Sequence, residues 1–150
     1  MRALALFEWR LQTRRLLFVL AALGFAGACA LLAVTGHGPD GVVRNGPWNV
    51  ASMAGLLSLP AVLVATVVVA SAALRDADTR MAPLVHSAPL TRTDLLLGRF
   101  AGAMAVAGAI LALGYAVLAA VPLAVGGDEV GPFRAGGYLW AFGVLALPNL

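Results

Sequence analysis

The sequence predicts an all-α, polytopic transmembrane helical bundle, and three observations carry that prediction. The 150 residues are 61% hydrophobic and only 11% charged, whereas soluble domains carry roughly 25% charged residues. A chain so poor in polar groups cannot cover a globular surface of its own size, so lipid must take the place of water over much of it. Three uncharged apolar runs are each long enough to cross a bilayer, and turn-forming or polar segments separate them. The net charge of +3 is carried wholly by arginine, since the chain has no lysine. Those arginines gather at the ends of apolar runs, a membrane pattern rather than the basic patch of a nucleic-acid binder. No nucleic-acid partner is expected.

Residues 1–15, MRALALFEWRLQTRR, mix Leu4, Phe7 and Leu11 with Glu8, Arg10 and Arg14. The 4/7/11 spacing draws an apolar stripe along one helical face and leaves a basic face for headgroups, with Trp9 suited to the interface. The expectation is an amphipathic helix lying on the membrane; the alternative is a lead-in without fixed structure.

Leu16–Val34 is nineteen residues without a charge, about 28 Å of helix against a hydrocarbon core of about 30 Å. Gly36-His37-Gly38-Pro39-Asp40-Gly41 then supplies turn residues. The second span is expected at 50–74. Pro60 inside it removes one helical bond, and Ser58 is placed to help satisfy the backbone. A kink without a mechanical role is the reading preferred to a hinge. The third span is expected at 100–125, with Pro122 helping to end it. A Gly-rich connection, 126–137, leads into a fourth apolar run at 138–150. Thirteen residues fall short of the roughly twenty a helix needs to cross, so the sequence is expected to stop mid-span, as the N-terminal part of a longer protein.

Arginine counting orients the chain. Arg2, Arg10, Arg14, Arg15, Arg75, Arg80, Arg92 and Arg99 fall on one side, Arg44 and Arg134 on the other. Eight against two places the N-terminus and the polar segment 75–99 in the cytoplasm. The location expected is a bacterial inner membrane, multi-pass. Trp9, Trp48 and Trp140 fall at the expected interfaces.

Several motifs point to chemistry that the context does not support. Thr13-Arg14-Arg15-Leu16-Leu17 resembles a twin-arginine signal and Ala28-Cys29-Ala30 a cleavage site, yet both lead into a chain with two further complete spans. Cys29 is read as a packing residue. Without lysine there is no P-loop. Ser52, Ser58 and Ser71 lack a partner base within the spans, and His37 and His86 fall on opposite sides of the membrane, so neither catalysis nor a metal site is expected. No ionisable residue lies inside the three complete spans, where ion-coupled transporters place theirs. Gly98 and Gly102 form a GxxxG and Ala105 continues a small-residue stripe with Ala101 and Ala109, permitting close helix approach; packing within the same protein is preferred to a dimer seam.

The polar segment, Arg75 to Phe100, holds four of the ten arginines and three of the seven acids. Met81, Leu84, Val85 and Ala88 recur at near-helical spacing, with Arg80 and His86 towards another side and Pro89 as a stop. Thr91-Arg92-Thr93-Asp94 fits a capping box, Thr91 as N-cap and Asp94 capping back, so the third helix should begin near Thr91. A short amphipathic helix between two spans can enter a groove on a soluble partner; an ordinary solvated loop, or a helix resting on headgroups, is the alternative.

Arg75-Asp76, Leu84, Ser87-Ala88-Pro89-Leu90-Thr91-Arg92 and Leu96-Leu97-Gly98-Arg99-Phe100 together resemble the cytoplasmic loop of type-2 ABC exporter permeases. Phe7-Glu8-Trp9-Arg10 is similar to that family's Phe-Glu-x-Arg interfacial helix. Asn45-Gly46-Pro47, Gly98-Arg99-Phe100-Ala101-Gly102 and Leu147-Pro148-Asn149 resemble a bacterial subgroup linked to copper-enzyme maturation, some members of which are fused to a zinc aminopeptidase-like domain. Asn45-Gly46-Pro47-Trp48 differs from the more usual Asn-Ser-Pro-aromatic. The resemblance implies an exporter half of about six spans that forms a homodimer or heterodimer and binds ATPase subunits. It implies a coupling helix near 80–88, with Arg80, Met81, Leu84, Val85, Ser87, Pro89 and Arg92 meeting the ATPase. ATP and magnesium would belong to that partner, and no cofactor to this chain. The competing readings are a non-transporting membrane anchor or assembly protein, and the membrane part of a fused peptidase.

Overall fold

The computed structural model describes residues 2–36, 42–78, 92–126 and 130–150. All the regular structure among them is helical. Five α-helices follow in order: α1 (Arg2–Thr13), α2 (Leu16–Thr35), α3 (Pro47–Asp78), α4 (Arg92–Val125) and α5 (Ala135–Ala141). A π-helical turn, Phe142–Ala146, and a 3₁₀ turn, Leu147–Asn149, continue from α5. Three helices, α2, α3 and α4, are long and apolar enough to cross a membrane.

Helix α4 is the axis of the bundle, with α1, α2 and α3 all packed against it. Its contact faces carry small and β-branched residues, Ala103, Val106, Ala107 and Ile110 among them, and α3 answers with Ala54, Ala61, Ala65 and Ala72. Large side chains fall on both sides: Leu20, Leu23, Leu59 and Leu63 stand on the outside, while Phe25, Leu57, Leu111 and Leu118 are buried. Lipid is as apolar as leucine, so helices associate through close van der Waals approach, which the small residues of these faces permit. So large an apolar exterior would make a soluble protein aggregate.

Several expected boundaries move. Helix α3 begins at Pro47, three residues before the apolar run, because proline at the first helical position has its ring torsion already set and lacks only an N–H that would be unpaired anyway. It runs unbroken through Pro60. Ser58 does not serve the carbonyl that Pro60 leaves unpaired, that of Leu56; its hydroxyl donates to Gly55 O at 2.6 Å. Pro122 lies inside α4 and does not end it. The end comes at Gly126, at φ 66°, whose amide donates to Pro122 O at 3.0 Å; a left-handed residue there is what glycine supplies without steric cost. The last apolar run turns helical at Ala135 rather than 138 and then changes pitch twice.

Candidate functional site

Two of the membrane-crossing helices carry their backbone into the polar segment. At 32 and 34 residues, α3 and α4 are each about 50 Å long, against a hydrocarbon core of about 30 Å. The surplus lies at one end. There α3 continues past the apolar run to Asp78, and α4 starts at Arg92, two turns before Phe100. The loop expected over 75–99 is therefore narrowed to a connection over 79–91. Asp94 sits half-buried in the first turn of α4, where a carboxylate is favoured by the helix dipole.

The expected coupling residues Arg80, Met81, Leu84, Val85, Ser87 and Pro89, the cap Thr91 and the histidines His37 and His86 lie outside the described residues. Arg92 is placed as the first residue of α4.

Helix α1 is seated at this same end. Phe7, 58% exposed, Leu6 and Arg10 face outward, as does Arg14 just beyond the helix, while Leu11 is half-buried and Trp9 packs against the core. The side turned towards α4 carries the two polar residues Glu8 and Gln12, 1% and 5% exposed. Gln12 Nε2 donates to Glu8 Oε1 at 2.7 Å, one turn apart on the same helix. The seat is Gly102: a Cβ built there would stand 2.5 Å from Glu8 Cβ, 2.8 Å from Glu8 Cγ and 3.0 Å from Ala5 O. Only a glycine lets α1 come this close. Gln12 of α1, Leu17 and Phe18 of α2, Val68 and Ser71 of α3 and Val106 of α4 line one small gap at this end, and α1 and α3 each pack on α4.

Gly98 and Gly102 are both buried, and Val106 continues their row one turn on. Ala105 and Ala101 are exposed instead. The small-residue stripe expected through Ala105 is thus rotated by one residue from the true contact row, because the contact follows steps of four from Gly98. Sequence reasoning passed over Glu8 and Gln12 as packing groups, since periodicity marks apolar faces only; their four-residue spacing was the available signal.

At the opposite end, buried asparagines tie connections together. Asn45 Nδ2 donates to Gly131 O at 2.5 Å, joining the α2–α3 connection to the one between α4 and α5. Asn49 Nδ2 donates to Arg44 O at 2.9 Å and Gly36 O at 3.3 Å. The Asn45-Gly46-Pro47 motif is thus a structural knot as well as a point of resemblance. The serines of α3 each donate to a carbonyl of their own helix, Ser52 to Trp48 O and Ser71 to Val68 O besides the Ser58 bond.

In comparisons with protein-family models, with curated proteins and with solved structures, nothing matches this chain.

Proposed function

We propose that the chain is a transmembrane permease subunit of an ATP-driven type-2 ABC exporter, and that the polar segment between α3 and α4 is where a partner ATPase acts. In this reading the membrane is a bacterial inner membrane, with the N-terminus and residues 79–91 in the cytoplasm. ATP and magnesium bind to the partner, and the permease works as a dimer. The motifs around Pro89 and Gly98 are the sequence basis.

The observation that carries the proposal is the joint at that end of the bundle. Helices α3 and α4 both extend beyond their apolar runs towards the 79–91 connection, and α1 is locked onto α4 through Gly102. A displacement of 79–91 would therefore act through continuous helical backbone on two membrane-crossing helices and on the interfacial helix at once. A flexible tether would dissipate such a push; a helix that reaches one or two turns beyond its apolar run transmits it.

The test is co-purification of the full-length protein with its ATPase. Leu84→Asp and Pro89→Ala should weaken it while membrane insertion is kept. Unchanged co-purification and unchanged transport in both variants would remove the coupling role. Single-cysteine labelling of 79–91 in a Cys29→Ala background checks the orientation, and labelling from outside intact cells would overturn it.

A further inference from the structure

Counted at about 100° per residue, helix α1 has two opposite sides. Ala5, Glu8 and Gln12 fall on one, and Leu6, Phe7 and Arg10 on the other. The first side is taken up by α4: Glu8 and Gln12 are buried, and Glu8 with Ala5 closes over Gly102. The second side faces away from the bundle, with Leu6, Phe7 and Arg10 all exposed, and Arg14 is exposed in the short link to α2.

This packing sorts the charges. Glu8 is the only acid among residues 1–15, and α4 covers it. The surface left outside presents arginine and large apolar side chains without a carboxylate, and neither Arg10 nor Arg14 makes an ion pair among the described residues. The sequence expectation set the apolar stripe and the basic residues of α1 on different faces; the fold puts Phe7 and Arg10 on the same one, three residues apart and so adjacent on a helix surface.

Two features fix the depth of this face. Helix α2 is 20 residues without a charge, Leu16–Thr35, about 30 Å long, so its first residue lies at the edge of a hydrocarbon core of about that thickness. Arg14 comes just before it in the chain. Gly102, which seats Glu8, lies only just inside the apolar run that starts at Phe100. Helix α1 therefore lies along the membrane boundary, at the level of lipid phosphates and esters. Its outward side, opposite α4, looks sideways into that layer.

We propose that the outward side of α1 is a docking surface for anionic phospholipid, with Arg10 and Arg14 against lipid phosphates and Leu6 and Phe7 among the upper acyl carbons. The selection is for headgroup charge, beyond mere contact with the membrane. A zwitterionic lipid offsets its phosphate with its own ammonium group, whereas an anionic one leaves a net charge for the arginines, whose planar fork also fits phosphate. Buried apolar area and attraction to anionic lipid act together on such a helix. An acidic protein segment would suit the arginines and leave Leu6 and Phe7 against polar groups. The proposal is independent of the transport reading.

The test uses the full-length protein with a fluorophore at Leu6→Cys in a Cys29→Ala background, reconstituted in vesicles of phosphatidylcholine mixed with phosphatidylglycerol. Quenching by trace phosphatidylglycerol or phosphatidylcholine, each carrying a nitroxide near its headgroup, reads which lipid lies beside α1. At low salt the phosphatidylglycerol probe is expected to be preferred about 20- to 30-fold, or about fivefold for each arginine. Arg10→Gln or Arg14→Gln alone should lower the preference about fivefold, and the double variant or high salt should abolish it. Unchanged melting temperatures check that these exposed substitutions keep the fold. Arg134→Gln, at the other end of the bundle, is the control and should leave the preference unchanged. Equal quenching by the two probes in the parent protein, or a preference that survives in the double variant, would overturn the proposal. So would access of a water-soluble quencher to the label in phosphatidylglycerol vesicles, which would assign the face to a soluble partner instead.

Discussion

Replacing Gly102 with leucine should unseat α1 from α4. The smallest step, Gly102→Ala, already places a Cβ 2.5 Å from Glu8 Cβ and 3.0 Å from the Ala5 carbonyl. One of these atoms is backbone and the other is fixed to it, so no rotamer change relieves the contact. Overpacking of this kind costs about 1–3 kcal/mol, while exchanging glycine for alanine within a helix returns about 1 kcal/mol. For alanine the net loss is about 0–2 kcal/mol. For leucine the steric term grows and the propensity gain does not, so α1 must lift. Spin labels at Arg10 and Leu96, both exposed, report the separation by pulsed electron resonance. The expected result is a narrow distance distribution that broadens and shifts outward in Gly102→Leu, with a lower melting temperature in detergent. An unchanged distribution together with an unchanged melting temperature would refute the seating of α1 on Gly102.

Further tests address the buried polar groups. Gln12→Leu removes a buried donor to Glu8 and should cost about 1–3 kcal/mol, and Glu8→Leu in that background should recover part of the loss because both polar groups then go together; thermal melts of the two singles and the double decide it. Asn49→Ala leaves the Arg44 and Gly36 carbonyls without their shared donor and should cost about 1–3 kcal/mol, with faster amide exchange over 42–46 and none of the change at α1. Asn45→Ala should free the α4–α5 connection, read as faster proteolysis at 130–134, and an unchanged cleavage rate would show that the Asn45–Gly131 bond does not hold it.

The helices themselves were legible because hydropathy is local. Whether Leu16–Val34 can cross a bilayer depends on those residues alone, and the same is true of the runs that became α3 and α4. Termini were less legible where two signals competed. At 122–126 the proline drew attention, yet a proline can sit within a helix when packing restores the lost bond, whereas Gly126 supplies the backbone geometry that stops it. At 47 the apolar count began too late, since a helix can start in polar residues when a proline presets its first turn.

Faces were harder to read than spans. Of the apolar stripe expected on α1, Phe7 stands outside and Leu11 is half-buried, and the close approach to α4 is made by Glu8 and Ala5 over Gly102. The small residues of α4 raised the same difficulty: alanine and glycine are so frequent that several spacings look plausible, and Gly98–Gly102–Val106 differs from the stripe through Ala105 by a single residue, or about 100° around the helix. Asn45 and Asn49 were visible only as part of a motif, because the carbonyls they bond lie in other connections.

The sequence by itself determined that this is an all-helical chain with three helices suited to a membrane, and it located the polar segment between the second and third of them. Summed apolar transfer and the scarcity of charge settle those points without knowledge of any contact. The tertiary structure decided which faces meet, with α4 as the axis and α1 locked to it at Gly102. In lipid the inside and outside of a bundle are equally apolar, so hydrophobicity cannot choose between faces, and the choice falls to close packing and to the few polar groups that need partners.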